Sequence, residues 1–388
     1  MKPITDIERK MDDRSDIVRP VVAVVDLDAI RGNVAYLKGL THPGCDFMAV
    51  VKANAYGHGD IEVSRAALEA GADCLGVALL EEAERLRLAG LDCEVCLLFE
   101  PPPAAARRVI DGDIKCSLYT EELARALSAA AVGEGKTATV HIKVDTGMRR
   151  VGIHPESVSE FVTLLDGLPG LDVEGIYTHF ALATDPGDSF TVEQMDLFED
   201  SAERAQEVLG RSLRRHAANS AAVMAFPRSH YDMVRVGIAM LGLPPDRRLS
   251  GVERLRPALS LCGKVSFVKQ VGAGEGISYG IEYAPQRATY IATLPIGYAD
   301  GMSRILNGEA NVLIGGRRRP VVGVICMDTC MVDLGDDPVE PGVPFTVIGR
   351  DGAEVITAEE IADKLGTINY EVGCMISQRV PRVYIGND

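Results

Sequence analysis

The chain has 388 residues, 47% hydrophobic and 25% charged, with a formal charge of −16. Its length suggests two or three domains, and its apolar content excludes a largely disordered state. No apolar run approaches the roughly 18 residues of a spanning helix, and the acidic balance argues against nucleic acid and anionic lipid as partners.

The first sixteen residues, MKPITDIERKMDDRSD, are charged and lack the apolar centre of a secretory signal. The expectation is a cytoplasmic protein with an N-terminal extension over 1–20. An apolar strand follows at 21–27. Eight strand-like runs come next, at 45–52, 74–80, 93–99, 114–119, 137–145, 171–180, 213–218 and 231–238. They lack clean alternation, which suits strands buried on both faces of a parallel sheet. Helical patterns lie between them, at 81–89, 121–131 and 191–209; in the last, Val192, Met195, Phe198, Ala202, Ala205 and Leu209 form one apolar face. Eight alternating strands and helices are the count of a (β/α)8 TIM-type barrel over 21–250. A doubly wound open sheet is the competing architecture. Strand 21–27 is surplus to the eight and is expected to pair with a second domain.

From 251 to 388 the texture is mostly β, with short runs at 263–271, 288–296, 311–314, 321–326 and 345–348. A helix is predicted at 357–365, with Thr357 as N-cap and Glu360 three residues on. The basic run Arg317–Arg318–Arg319 after Gly315–Gly316 reads as a solvated hairpin. Nine scattered cysteines, an odd number, do not suggest a disulfide framework. They read as reduced core thiols, with Cys326 and Cys330 in buried strands. The lone pair Cys93 and Cys96 has no second pair at zinc-site spacing, so no metal is expected.

In such a barrel, chemistry collects where strands end. Lys52 closes the first strand, followed by Asn54, Tyr56 and His58. Lys143 and Asp145 end the fifth, with Arg149 and Arg150 beyond. His179 ends the sixth, Asn219 and Ser220 follow the seventh, and Arg235, Gly237 and Ile238 close the eighth. A lysine desolvated at a barrel mouth suits a Schiff base. Asn219–Ser220 before a helical stretch, and Gly237–Ile238, suit phosphate binding through backbone and hydroxyl groups. Each has a plainer reading: Lys52 as a surface lysine, His179 as a structural histidine, Lys143 paired with Asp145. Together, a lysine, a phosphate nest and an aromatic partner suggest pyridoxal 5'-phosphate.

The stretch VVKANAYGHG resembles the cofactor-lysine signature of alanine racemases, a fold-type III pyridoxal-phosphate family. The resemblance continues in order through KVDTGMRRVG, THFA, HAANS, MVRVGIAM, ISYG, PIGYADG, ICMD and INYE, from about Val25 to Arg382. It implies an N-terminal barrel, a C-terminal β domain and a homodimer with shared active sites. It implies interconversion of L- and D-alanine by two bases, supplying D-alanine for peptidoglycan in a bacterial cell wall. Lys52 would carry the cofactor as a Schiff base and act on one face of the α-carbon. Tyr279, from the partner subunit, would act on the other face. Tyr56, Ser220, Gly237, Ile238 and Tyr370 would hold the phosphate. His179 would pack on the pyridine ring, Arg235 would meet its nitrogen, and Arg150 would meet the cofactor phenolate and the substrate carboxylate. Tyr298 and Met327 would line substrate access from the partner subunit. Lys143 matches a lysine that is carbamylated in many family members, where it orients the arginine equivalent to Arg150.

Alternative functions are a racemase of broader specificity, such as serine, a fold-type III decarboxylase, and a non-catalytic cofactor carrier. Three positions depart from the family pattern: Arg149 where glycine is usual, Leu241 where tyrosine is frequent, and Val324 where arginine is common.

Overall fold

The computed structural model describes residues 19–386. Most of the expected extension, residues 1–18, therefore lies outside the described residues. The rest forms two compact units: Ile30–Ala55 with Asp60–Leu255, and Arg256 onward with the segment before Ile30 and Tyr56–Gly59.

Strand β1 (Val21–Asp26) belongs to the second unit. The first unit is a closed parallel barrel of β2 (Asp46–Val50), β3 (Cys74–Val77), β4 (Glu94–Leu97), β5 (Lys115–Leu118), β6 (Ala138–Lys143), β7 (Leu171–Tyr177), β8 (Arg214–His216) and β9 (Met233–Val236). The ring closes where β2 pairs with β9, Met48 opposite Arg235. Helices alternate with the strands. The one over Phe190–Leu209 buries Met195, Phe198, Ala202 and Ala205, but Val192, expected on the same face, is exposed and Leu209 is half-buried, because the stripe turns outward at both helix ends. The barrel replaces the open-sheet alternative.

The β6–β7 register contains one irregularity. Val140 faces Val173 and His141 faces Gly175, so Glu174 is the extra, bulged residue. A bulge re-aims side chains locally. Gly175 follows from the same packing: a Cβ there would lie 2.8 Å from His141 Nδ1 and 2.9 Å from the Arg214 carbonyl. Only glycine leaves room for that imidazole.

The second unit is a sheet of β10 (Leu259–Lys264), β11 (Phe267–Val271), β12 (Thr289–Leu294), β13 (Asn311–Ile314), β14 (Arg317–Val322), β15 (Cys330–Gly335), β16 (Pro344–Asp351), β17 (Glu354–Ile356) and β18 (Arg382–Ile385), together with β1. The order is β11-β12-β15-β14-β13-β16-β10-β1-β18, with β17 on β16. β1 runs antiparallel to β10 and parallel to β18. Its sequence VVAVVD is buried throughout, with Val22 and Val24 packed against Cys262, Val383 and Ile385. Thr357 Oγ1 accepts from the Glu360 amide at 3.1 Å and caps the helix Ala358–Leu365.

Three sequence expectations are corrected here. The run 263–271 is two strands, because the chain leaves β10 at Val265 and turns into β11. The run expected at 321–326 is instead β14, ending at Val322, with Arg317–Arg319 inside the strand. Those arginines pair with Asp337, Glu354 and Glu360, which stabilises a strand the charge pattern disguised. Cys326 thus lies in a loop and is half-buried, as is Cys93, while Cys374 is exposed; the other cysteines are buried. Among the described residues no helix is long and apolar enough to cross a membrane.

Candidate active site

The five strand ends singled out above are the C-terminal ends of β2, β6, β7, β8 and β9 in one closed barrel. Lys52 follows β2 and opens a turn of unusual hand. Ala53, Asn54, Ala55 and Tyr56 have φ of 53°, 55°, 50° and 52°. Left-handed helical backbone costs an L-residue roughly 1–2 kcal/mol, and non-glycine residues seldom adopt it in succession. Such strain persists only where the surroundings over-determine it. Ala55 N donates to Val51 O at 2.8 Å, and Asn54 Oδ1 accepts from Asp60 N at 3.1 Å. Glu82, nearly buried, accepts from Ala53 N at 2.6 Å, Ala78 N at 2.8 Å and Leu79 N at 3.1 Å. One carboxylate thus fixes both the turn after β2 and the loop after β3.

Two aromatic rings organise the cations. The Lys52 amine lies 6.0 Å and the Arg150 guanidinium 5.2 Å from the centroid of Phe99. The Lys143 amine lies 4.4 Å and the Arg235 guanidinium 5.1 Å from the centroid of Tyr177. Lys143 therefore sits over a ring rather than in the simple pair with Asp145; Asp145 Oδ1 accepts from the Gly147 and Arg149 amides instead. Arg149 has φ of 56°, so this arginine takes the backbone conformation that a glycine would take without strain.

Burial lowers the Lys143 pKa to about 7, and the charges of Arg235, Arg150 and Lys52 push the same way, with Asp145 opposing. His179 is held well below its ordinary value by burial, then by Arg235, Lys143, Arg150 and Lys52. Arg235 is brought down to about 10, chiefly by burial, and stays charged near neutrality. Its Nη2 donates to Thr178 O at 2.7 Å and Ala217 O at 3.1 Å and lies 3.3 Å from His179 Nδ1. Its Nη1 lies 3.0 Å from His216 Nδ1.

That last contact sets a chain of protons. A guanidinium nitrogen only donates, so His216 Nδ1 accepts and the His216 proton sits on Nε2. Nε2 lies 2.8 Å from His141 Nδ1, which must accept in turn. The His141 proton is then on Nε2, 3.4 Å from Glu174 Oε2. Glu174 also pairs with Lys115 at 2.5 Å. Its pKa is lowered to about 2, first by the His141 hydrogen bond. Tyr177 stacks on His216 with ring centroids 4.7 Å apart. A directed line of donors thus runs from Arg235 to the bulged Glu174.

At β8, Asn219 Oδ1 accepts from the Ala221 and Ala222 amides, both at 3.1 Å, and caps the helix Ser220–Ala225. Ser220 Oγ accepts from Gly237 N at 3.0 Å, joining the two candidate phosphate segments.

On the second unit, Tyr56 and Tyr370 meet edge to face with ring centroids 6.2 Å apart. Tyr298 N donates to Cys326 O at 3.0 Å and Ala299 N to Met327 O at 3.1 Å, so Tyr298 and Met327 stand on paired turns. Tyr279, Tyr298 and Met327 are exposed, Tyr279 to 73%.

Glu82, Phe99, His141, Glu174, Tyr177 and His216 were not singled out by sequence. His216 opens HAANS and His141 sits in an apolar run, so a histidine inside a strand was the available signal. Glu82 gave none; it reads as one of many surface glutamates.

These features define a β/α-barrel whose strand ends carry a strongly cationic cluster, buried at Lys143 and Arg235 and open at Arg150, able to bind an anionic ligand. The family model of the alanine racemase N-terminal domain matches residues 25–245, and that of the C-terminal domain matches 258–384. The alanine racemase of Desulfovibrio desulfuricans is 44% identical over 372 residues, 95% of this chain and 98% of that protein. That of Symbiobacterium thermophilum is 46% identical, covering 96% and 98%. The crystal structure of alanine racemase from D-cycloserine-producing Streptomyces lavendulae superposes with a TM-score of 0.91 at 39% identity, covering 96% and 98%. That of Bacillus anthracis alanine racemase with bound L-Ala-P gives 0.90 at 40%, covering 96% of each chain. The chain belongs to the alanine racemase family and is an isomerase.

Glu82→Gln offers one acceptor oxygen where three amides need partners, two of them on the lost side. Unfolding by denaturant is expected to show a loss of about 1–3 kcal/mol. Unchanged stability would mean that the Glu82 carboxylate does not hold these two loops together.

Proposed function

We propose that the protein interconverts L-alanine and D-alanine with pyridoxal 5'-phosphate, in the cytoplasm and as a homodimer, supplying D-alanine for peptidoglycan. The observation that carries this reading is the cationic cluster of Lys52, Lys143, Arg150 and Arg235, opposed by Asp145. The donor set fits the cofactor: an amine for a Schiff base, a permanent guanidinium for a ring nitrogen, an imidazole for the ring face, and a surplus of positive charge for phosphate and phenolate. Asn219, Ser220, Gly237 and Ile238 would hold the phosphate; the family resemblance gives Tyr56 and Tyr370 the same role. The named relatives are alanine racemases, which favours alanine over serine as the substrate.

Bound pyridoxal phosphate supplies an electron sink for the α-carbanion. The remaining work falls to side chains. Arg150 binds the substrate carboxylate. Lys52 Nζ takes or returns the α-proton on one face, and Tyr279 Oη does so on the other. Tyr298 and Met327 restrict access. Arg235 presents N–H donors only, so a pyridine nitrogen facing it would accept a hydrogen bond and stay unprotonated, which would temper the electron sink. Tyr279, Ile281, Met327 and Tyr298 form an exposed apolar set on the second unit, suited to a second copy of the chain. The test is incubation with L-alanine and the cofactor in heavy water, following chirality and α-deuterium, with Lys52→Ala as control. Deuterated D-alanine from the wild type alone is expected; absence of both exchange and inversion would overturn the reading.

Lys143 is proposed to carry a carbamate. Its neutral amine would attack carbon dioxide, forming an N–C bond and releasing the amine proton to water. With a folded-state pKa of about 7 against the ordinary 10.5, the neutral form is held from about pH 7 upward only in the folded protein. Bicarbonate at pH 8 should therefore raise the melting temperature, and the effect should fade as pH falls through 7. Lys143→Met should not respond; an equal response in that variant would refute the carbamate.

A further inference from the structure

We propose that Ser278 is a positioning residue whose hydroxyl clamps a strained loop so that Tyr279 points in one fixed direction. The inference rests on the proton-transfer role proposed above for Tyr279.

The loop departs from ordinary backbone on both sides of the tyrosine. Ser278 has φ 67° and ψ −173°, a region that is essentially reserved for glycine. Gly280 has φ 73° and Ile281 has φ 52°. Ile281 is β-branched, for which positive φ is a genuine outlier. Strained residues of this kind survive only where neighbours fix them, and here the fixings are visible. Ile277 N donates to Tyr283 O at 2.8 Å, closing the loop as an antiparallel bridge. Tyr283 Oη donates to Asp333 Oδ2 at 2.7 Å, anchoring one end on β15. Ile277 packs with Val271, Ile291 and Val322, anchoring the other. Within the loop, Ser278 Oγ donates to Val324 O at 2.6 Å, with Cys326 Sγ 3.6 Å away. The approach of the two segments is close: a Cβ on Gly323 would lie 2.9 Å from Ile277 O and 3.0 Å from Ser278 Cβ.

The result is a rigid base carrying a ring that is 73% exposed. The strain beneath the ring is not repaid by packing within its own chain. A base that must meet an α-carbon gains a great deal, because small misplacements of a reacting group cost large factors in rate. The clamp gives a fixed direction to a side chain that its own chain does not enclose.

The test compares Ser278→Ala and Ser278→Gly in the holoenzyme. At ordinary positions glycine is less stable than alanine. At a strained position that tolerates only glycine without cost, the order reverses, so the glycine variant should melt above the alanine variant. An alanine variant at least as stable as the glycine variant would overturn the strain argument. In heavy water the glycine variant should retain α-exchange of the enantiomer whose hydrogen faces Lys52. Exchange of the other enantiomer, and inversion, should fall about tenfold to a hundredfold. A merely destabilised enzyme would lose both exchanges alike. Inversion at the wild-type rate in Ser278→Gly would overturn the positioning role. Failure of the wild type to exchange either enantiomer would instead overturn the function of Tyr279, and the aim of the clamp with it.

Discussion

A guanidinium buried inside a β-barrel is the constraint on which the site depends. Arg235 is 4% exposed, and its hydrogen-bond partners among the described residues are two backbone carbonyls and two imidazoles. Burying a cation without good acceptors costs several kcal/mol. The acceptors here come from β7, β8 and the chain just beyond them, which explains why the local geometry is so specific. His216 must offer its Nδ1 lone pair, His141 must receive the His216 proton, and the β7 bulge brings Glu174 to the far end. Gly175 is the space that His141 occupies. A cation at the mouth and a carboxylate in the bulge are one linked arrangement.

The same cation shapes its neighbours. Arg235 heads the charges that act on His179 and Lys143, after burial itself. It keeps the imidazole neutral and makes the lysine a weak base. A neutral ring and a part-neutral amine, beside fixed positive charge, form a setting prepared for an anion before any ligand arrives. Preorganised charge of this kind needs no rearrangement when a ligand binds. The left-handed turn at Ala53–Tyr56 serves a related end, fixing the backbone next to Lys52. The loop around Tyr279 repeats the principle on the other unit, with strain held by a hydrogen bond.

Much of this was legible in the residues. Buried parallel strands are apolar on both faces, so the eight runs stood out and their ends located Lys52, Lys143, His179, Ser220 and Arg235. The helix at 358–365 was announced by Thr357. The β unit was harder, because short strands in a mixed sheet carry weak patterns and β14 hides behind three arginines that pair across the surface. Positive φ at Ala53–Tyr56 has no residue signature: alanine and tyrosine are not left-handed formers, and the cause lies in Glu82, a residue distant in sequence. Ser278 and Ile281 are illegible for the same reason. Their conformations are imposed by tertiary contacts that override local preference. The β7 bulge required register, which a single sequence does not carry.

The central claim is that neutral, tautomerically fixed imidazoles hold Arg235. Nitrogen-15 NMR of the histidine side chains measures this directly, with Glu174→Gln and His141→Gln to assign the signals. His216, held neutral chiefly by burial, is expected to carry its proton on Nε2, and the His141 proton is expected on Nε2 as well. A His216 proton on Nδ1, or an imidazolium at His216, would contradict this, because Arg235 would then face a donor where it needs an acceptor.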